Sequence, residues 1–153
     1  MGKKIENKGG WKRVISFLVF VAYMLGVIYF MFFSETLGRV DKTSGYRYNL
    51  TPFVEIKRFY YVLKYHFSFA AILNLAGNVV AFIPFGMILP MLRKKKTGVL
   101  QIAIMTFIFS LIIESLQLYY KVGVFDIDDM ILNTAGGIIG YVIYIIGKVL
   151  LKK

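Results

Sequence analysis

Seven polar side chains in this sequence have the type and spacing to do chemistry in an apolar setting: Asn74, Asn78, Glu114, Gln117, Asp126, Asp129 and Asn133. Glu114, Asp126 and Asp129 are the candidate catalytic groups. Paired carboxyls can act as general acid and base, or offer oxygen ligands to a divalent cation. The four amides add hydrogen-bond donors and acceptors. Asn74 and Asn78 are four residues apart and share one face of a helix. Thr106, Ser110, Glu114 and Gln117 follow one another at spacings of four, four and three, a polar stripe on another helix. Structural duties compete with these readings. Asp126 or Asp128 suits the N-cap of a following helix, and the three asparagines suit hydrogen bonding between helices. His66 is the only histidine, has no HxxH-type partner, and reads as a polar member of an aromatic belt. Cysteine is absent, which excludes disulfides, thiolate chemistry and cysteine-ligated metals. No metal site and no cofactor is expected.

The elements that must position these groups follow from composition. Of 153 residues, 58% are hydrophobic and 18% charged, yet the net charge is +11. A soluble domain carries about 45–50% apolar and about a quarter charged residues. Four apolar runs, 14–33, 71–92, 99–120 and 130–151, account for the excess. Each reaches the roughly 20 residues that cross a bilayer core. The sequence therefore predicts an all-α integral membrane bundle of four transmembrane helices. The first run is longer than a secretion-signal core and lacks a small-residue cleavage site, so it reads as a retained anchor.

The charges give the orientation. Lys3, Lys4, Lys8, Lys12 and Arg13 precede the first run, Arg93 and Lys94 to Lys96 lie in the short loop 93–98, and Lys152 and Lys153 end the chain, with Lys148 one turn earlier. The loop 121–129 carries Asp126, Asp128 and Asp129 against Lys121. Basic flanks stay in the cytoplasm, so both termini and the 93–98 loop are expected there, with 34–70 and 121–129 outside. Each basic cluster abuts a span, so nucleic acid is not an expected partner.

This topology gathers the polar residues. The second, third and fourth spans run in alternating directions, yet all place them in the outer leaflet. Glu114 lies about 9 Å from the outer end of its helix at 1.5 Å per residue. An outward-facing polar pocket is expected from the seven residues. Above it, residues 34–70 hold an amphipathic helix over about 52–67. Thr51 is its expected N-cap and Pro52 its first position, with Phe53, Ile56, Tyr60, Leu63 and Phe67 forming the apolar stripe. Tyr60, Tyr61, Tyr65, Phe67 and Phe69 supply an interfacial aromatic belt. Gly136 and Gly140 form a GxxxG pair beside Gly137, for close approach to the second span, the third span or another copy in a homo-oligomer. Pro84 and Pro90 are expected to kink or end the second span.

The segments NLTPF (Asn49 to Phe53), NLAGNVVAFIPFGMILP (Asn74 to Pro90), SLIIESLQ (Ser110 to Gln117) and FDIDDMILNTAGGIIGY (Phe125 to Tyr141) resemble the VanZ-like family in order and spacing, over about 49–147. The resemblance implies a small envelope protein of a bacterial cytoplasmic membrane, in a family whose founding member is associated with teicoplanin resistance. It implies that Asn74, Asn78, Pro84, Glu114, Gln117, Asp126, Asp129, Asn133, Gly136 and Gly140 match characteristic positions. Many members carry an Arg just before the aspartate motif, where this chain has Gly123, Val124 and Phe125. If that Arg neutralises the acidic cluster or holds an anionic ligand, either Lys121 takes its place or the function differs.

Two functions follow as expectations. The first is a binding or accessory protein whose outer pocket holds an amphiphile, such as a lipoglycopeptide tail or a cell-wall lipid headgroup, among membrane lipids. The second is a membrane enzyme acting on a cell-wall lipid precursor by carboxylate acid/base or cation-assisted chemistry. The lack of a recognisable nucleophile or histidine pair favours the first. A transporter or channel fits poorly, because four short spans make a small pathway.

Overall fold

The computed structural model describes residues 10–33, 45–65, 69–93 and 95–151. The chain folds as α1 (Gly10–Phe33), β1 (Tyr48–Asn49), α2 (Val54–Tyr65), α3 (Phe69–Leu92), α4 (Val99–Tyr119), β2 (Phe125–Asp126) and α5 (Ile127–Leu150). Helices α1, α3, α4 and α5 are long and apolar enough to cross a membrane. Lipid offers no partner for backbone N–H and C=O groups, so helices that bond internally are the form these runs must take. The result is an all-α bundle of four spanning helices, a multi-pass membrane protein.

Helix α4 shows the solvent it is built for. Its Thr106, Ser110, Glu114 and Gln117 are at most 2% exposed, whereas Ile104, Phe107, Ile108, Leu111, Ile112 and Leu116 face outward. Polar inside and apolar outside is the stable arrangement in hydrocarbon. The expected stripe is thus the inward face of α4, with Thr106 and Ser110 against α5 and Gln117 against α1.

Glycine sets the other face of α5. A Cβ at Gly136 or Gly140 would land on the carbonyl oxygens of Val79 and Ile83 of α3, and a Cβ at Gly86 would land on the backbone of Gly137. The partner of the GxxxG pair is therefore α3. Lipid is as apolar as leucine, so helices gain little by burying side chains from it, and close backbone approach is the substitute. Beside this seam an aromatic core forms. The Phe85 and Phe109 rings stack at 5.2 Å, and Phe82 and Phe20 pack around them. Helix α1 joins through Val27 and Met31, and the Tyr23 hydroxyl donates to the Ala81 carbonyl at 2.5 Å. Neither proline ends α3, which runs through Pro84 and Pro90 to Leu92. Pro84 leaves the Val80 carbonyl without its helical donor.

Outside the spans, two features depart from expectation. Residues Tyr48 and Asn49 pair in parallel with Phe125 and Asp126, a two-residue ribbon between the outer loops. Helix α2 begins at Val54, because Phe53 sits at φ 67, a left-handed value that stops the helix from starting earlier. Its inward face is Glu55, Ile56, Phe59 and Val62, while Phe53 and Tyr60 of the expected stripe point outward. His66 and Phe67 lie outside the described residues, as does the side chain of Leu63.

The glycine seam gives a test. Gly136→Ala and Gly140→Ala should each destabilise the protein by about 1–3 kcal/mol through overpacking against α3. Gly147→Ala meets open space and should be neutral or slightly stabilising. Thermal unfolding in detergent reads the difference.

Candidate functional site

The site grows from the turn that starts α5. Asp126 has extended backbone and serves as the N-cap, its carboxylate accepting the Asp128 N–H at 2.8 Å. The same carboxylate accepts both contacts of the Asn49 amide at 3.3 Å, which fastens the ribbon. The Asp126 N–H in turn donates to Oε2 of Glu114 at 3.1 Å. Glu114, fully buried on α4, thereby grips the backbone at the head of α5. Burial pushes the Asp126 carboxyl above its ordinary range, against the pull of the hydrogen bonds from Asp128 and Asn49.

Asp128 has a different task. Its carboxylate accepts the N–H groups of Phe53 at 2.5 Å, Glu55 at 2.7 Å and Ile56 at 3.3 Å. These are the donors that the first turn of α2 leaves unpaired, so Asp128 caps α2 from another part of the chain. The left-handed Phe53 aims its N–H into this carboxylate. The role expected of Thr51 is filled from 75 residues away by a fully buried acid. Sequence reasoning left Asp128 out of the candidate set, and no local spacing signals a cap supplied across the fold.

The remaining candidates form bolts between helices. The Asn78 amide donates to Asp129, joining α3 to α5. One turn further along α5, Asn133 Nδ2 donates to Ser110 Oγ at 2.8 Å, joining α5 to α4. Asn133 is fully buried, and its Oδ1 meets no donor among the described residues. Gln117 turns away from the acids. Its Nε2 donates to the Met31 carbonyl at 2.8 Å and so caps the last turn of α1. The side chain of Asn74 lies outside the described residues. The structure thus brings Glu114 and Asp126 together, stacks Asp129 and Asn133 on the turns below, and assigns Gln117 to α1.

Two other expectations are decided here. Capping of α5 falls to Asp126. Lys121 does not stand in for an arginine beside the acids, because its ammonium lies over the Tyr46 ring at 4.9 Å on the exposed surface. Among the described residues no three of His, Asp or Glu gather in a metal-holding group. What the arrangement offers chemically is a set of buried acceptors at one end of the bundle, in a low-dielectric setting where each hydrogen bond is stronger than in water.

A family model described as VanZ/LLP1 matches residues 20–150. Protein VanZ of Enterococcus faecium is 33% identical over 96 residues, which are 63% of this chain and 51% of that protein. The chain spans about half the length of this curated relative. No solved structure matches.

Two measurements probe the turn. Asp128→Ala should remove amide-exchange protection at residues 53, 55 and 56 at a cost of about 1–2 kcal/mol, leaving α4 and α5 protected. Asp128→Asn, which keeps one acceptor oxygen, should lose less. A raised Asp126 pKa means that the folded state binds this proton more readily than the unfolded chain. Stability should then fall as pH climbs from the ordinary carboxylate pKa through the raised one, and level off above it. Asp126→Asn should flatten that part of the curve in unfolding experiments run across the acid range.

Proposed function

The chain belongs to the VanZ/LLP1 family, and on that footing we propose that it contributes to glycopeptide and lipoglycopeptide resistance, teicoplanin included, by holding part of an amphiphilic or lipid-linked ligand at the outer end of its bundle. The observation that carries this reading is the clustering of buried acids and amides at one end of α3, α4 and α5, beneath α2 and the ribbon. Ionisable groups inside a membrane are costly and are functional by default. The polar end lies under a helix with exposed Tyr60, Tyr61 and Tyr65, a combination suited to a ligand with an apolar tail and a polar head.

Orientation belongs to the same proposal. The basic 93–98 loop lies at the opposite end from the acids, which supports cytoplasmic termini and an outward-facing site in a bacterial cytoplasmic membrane. A second reading is favoured by one observation: the bond from the Asp126 backbone N–H to Glu114 brings two buried acids to the same turn. Such a pair suits an enzyme that moves protons on a cell-wall lipid precursor.

Glu114→Gln and Asp129→Asn should abolish protection against teicoplanin in cells and weaken teicoplanin binding by purified protein at least about tenfold, one power of ten being about 1.4 kcal/mol. Membrane levels should not change. Full protection by both variants overturns the proposal, and turnover of a lipid-linked precursor by the parent protein moves it to the enzyme reading. Because the chain lacks cysteine, single replacements report topology cleanly. Tyr46→Cys should react with an impermeant maleimide in intact cells and Lys95→Cys only after permeabilisation. The reverse pattern inverts the protein.

A further inference from the structure

The end of the molecule that holds the acids sorts its charges by sign. By count its loops, 34–70 and 121–129, are close to neutral, with seven Lys/Arg against six Asp/Glu. Residues 34–44 carry two of each sign and leave that balance unchanged. Among the described residues the two signs take opposite sides. Arg47, Lys57, Arg58, Lys64 and Lys121 are all exposed. Asp126 and Asp128 are buried, and Asp129 is half-buried with the Asn78 amide on it. Glu55 is half-buried and paired with Arg58 at 3.4 Å.

Among the described residues the interior of this end is therefore anionic and its surface cationic. The acids went inward for a structural reason, since each caps a helix or bolts two together. The cations were left outside by default, and apart from Arg58, which Glu55 offsets, their field is not cancelled by the described acids. Tyrosines stand among them. The Lys64 ammonium lies over Tyr65 at 5.3 Å and that of Lys121 over Tyr46 at 4.9 Å. Tyr48, Tyr60 and Tyr61 are also exposed. Rings at headgroup depth with cations beside them form the surface that membrane proteins present to lipid phosphates.

We propose that this collar, Arg47, Lys57, Arg58, Lys64 and Lys121 with the surrounding tyrosines, binds the headgroups of anionic phospholipids in the leaflet around it. The basic 93–98 loop does the same at the other end through Lys95 and Lys96, so the molecule meets anionic lipid at both faces although only one is basic by count. The proposal goes beyond the ligand reading: it shares the exposed tyrosines of α2 with it but rests on the cations beside them, and it does not require that a ligand binds.

The test uses the full chain reconstituted in bilayers, with a fluorophore on Tyr60→Cys. Brominated phosphatidylglycerol should quench it with a higher relative binding constant than brominated phosphatidylcholine, about fivefold for each cation that meets a phosphate. The combined variant Arg47→Gln, Lys57→Gln, Arg58→Gln, Lys64→Gln, Lys121→Gln should bring the ratio close to one, and raised salt should lower it. Lys95→Gln with Lys96→Gln should leave it unchanged. Equal quenching by the two lipids in the parent, or an excess that survives all five collar changes, overturns the proposal. Both leaflets carry both lipids, so the result is independent of orientation and of whether teicoplanin binds.

Discussion

Three residues, Asp126 to Asp128, hold two helix N-termini at once. The positive ends of α2 and α5 meet at this turn, and each needs a partner for its unpaired N–H groups. Asp126 serves α5 and Asp128 serves α2, in opposite directions from one short stretch. The backbone N–H between the spans and the turn is in turn held by Glu114. Where a backbone N–H is buried from solvent, leaving it without a partner costs more than any single apolar contact returns. The acids of the aspartate motif are thus first a solution to a packing problem, two helix starts converging on one point, and only then a candidate for ligand chemistry.

The rest of the bundle divides its work between two faces of α5. Toward α3 it offers glycine, and the backbones touch. Toward α4 it offers Asn133, and Ser110 answers. Interhelical hydrogen bonds in membranes contribute about 0.6 kcal/mol on average. No single bolt therefore holds the helices, and the seam of close contacts must supply the remainder. The two faces depend on each other: α5 can sit deep against α3 only because Gly137 leaves room for Thr106 of α4 on its other side.

How much of this could be read from the chain depends on distance along it. The four spans were legible because a bilayer imposes a length and a composition on every crossing segment. The α4 stripe was legible because spacings of four, four and three are local. Asn78 facing inward followed from the same periodicity. What escaped is what one segment does for another. The cap on α2 comes from Asp128, the cap on α1 from Gln117, and the ribbon joins Asn49 to Asp126. Thr51 and Pro52 looked like a helix start by local rules, but the left-handed Phe53 overrode them once Asp128 was available as an acceptor. The partner of Gly136 and Gly140 was undecidable from a motif that records closeness and not identity.

The engaged state of the acids also constrains any ligand. Asp126 and Asp128 already hold donors from Asn49, Phe53, Glu55 and Ile56. Breaking such a bond without replacement leaves a buried acceptor unmet, at about 1–3 kcal/mol for each and more for a charged one. Exchanging one N–H donor for another costs far less. A purely apolar molecule could therefore lodge among the tyrosines of α2 but could not displace that helix from Asp128. A head rich in amide or hydroxyl donors could, because it returns to each carboxylate what it takes away. Under the proposed function, the apolar tail decides whether a ligand arrives at this end of the bundle, and its donors decide whether it can enter.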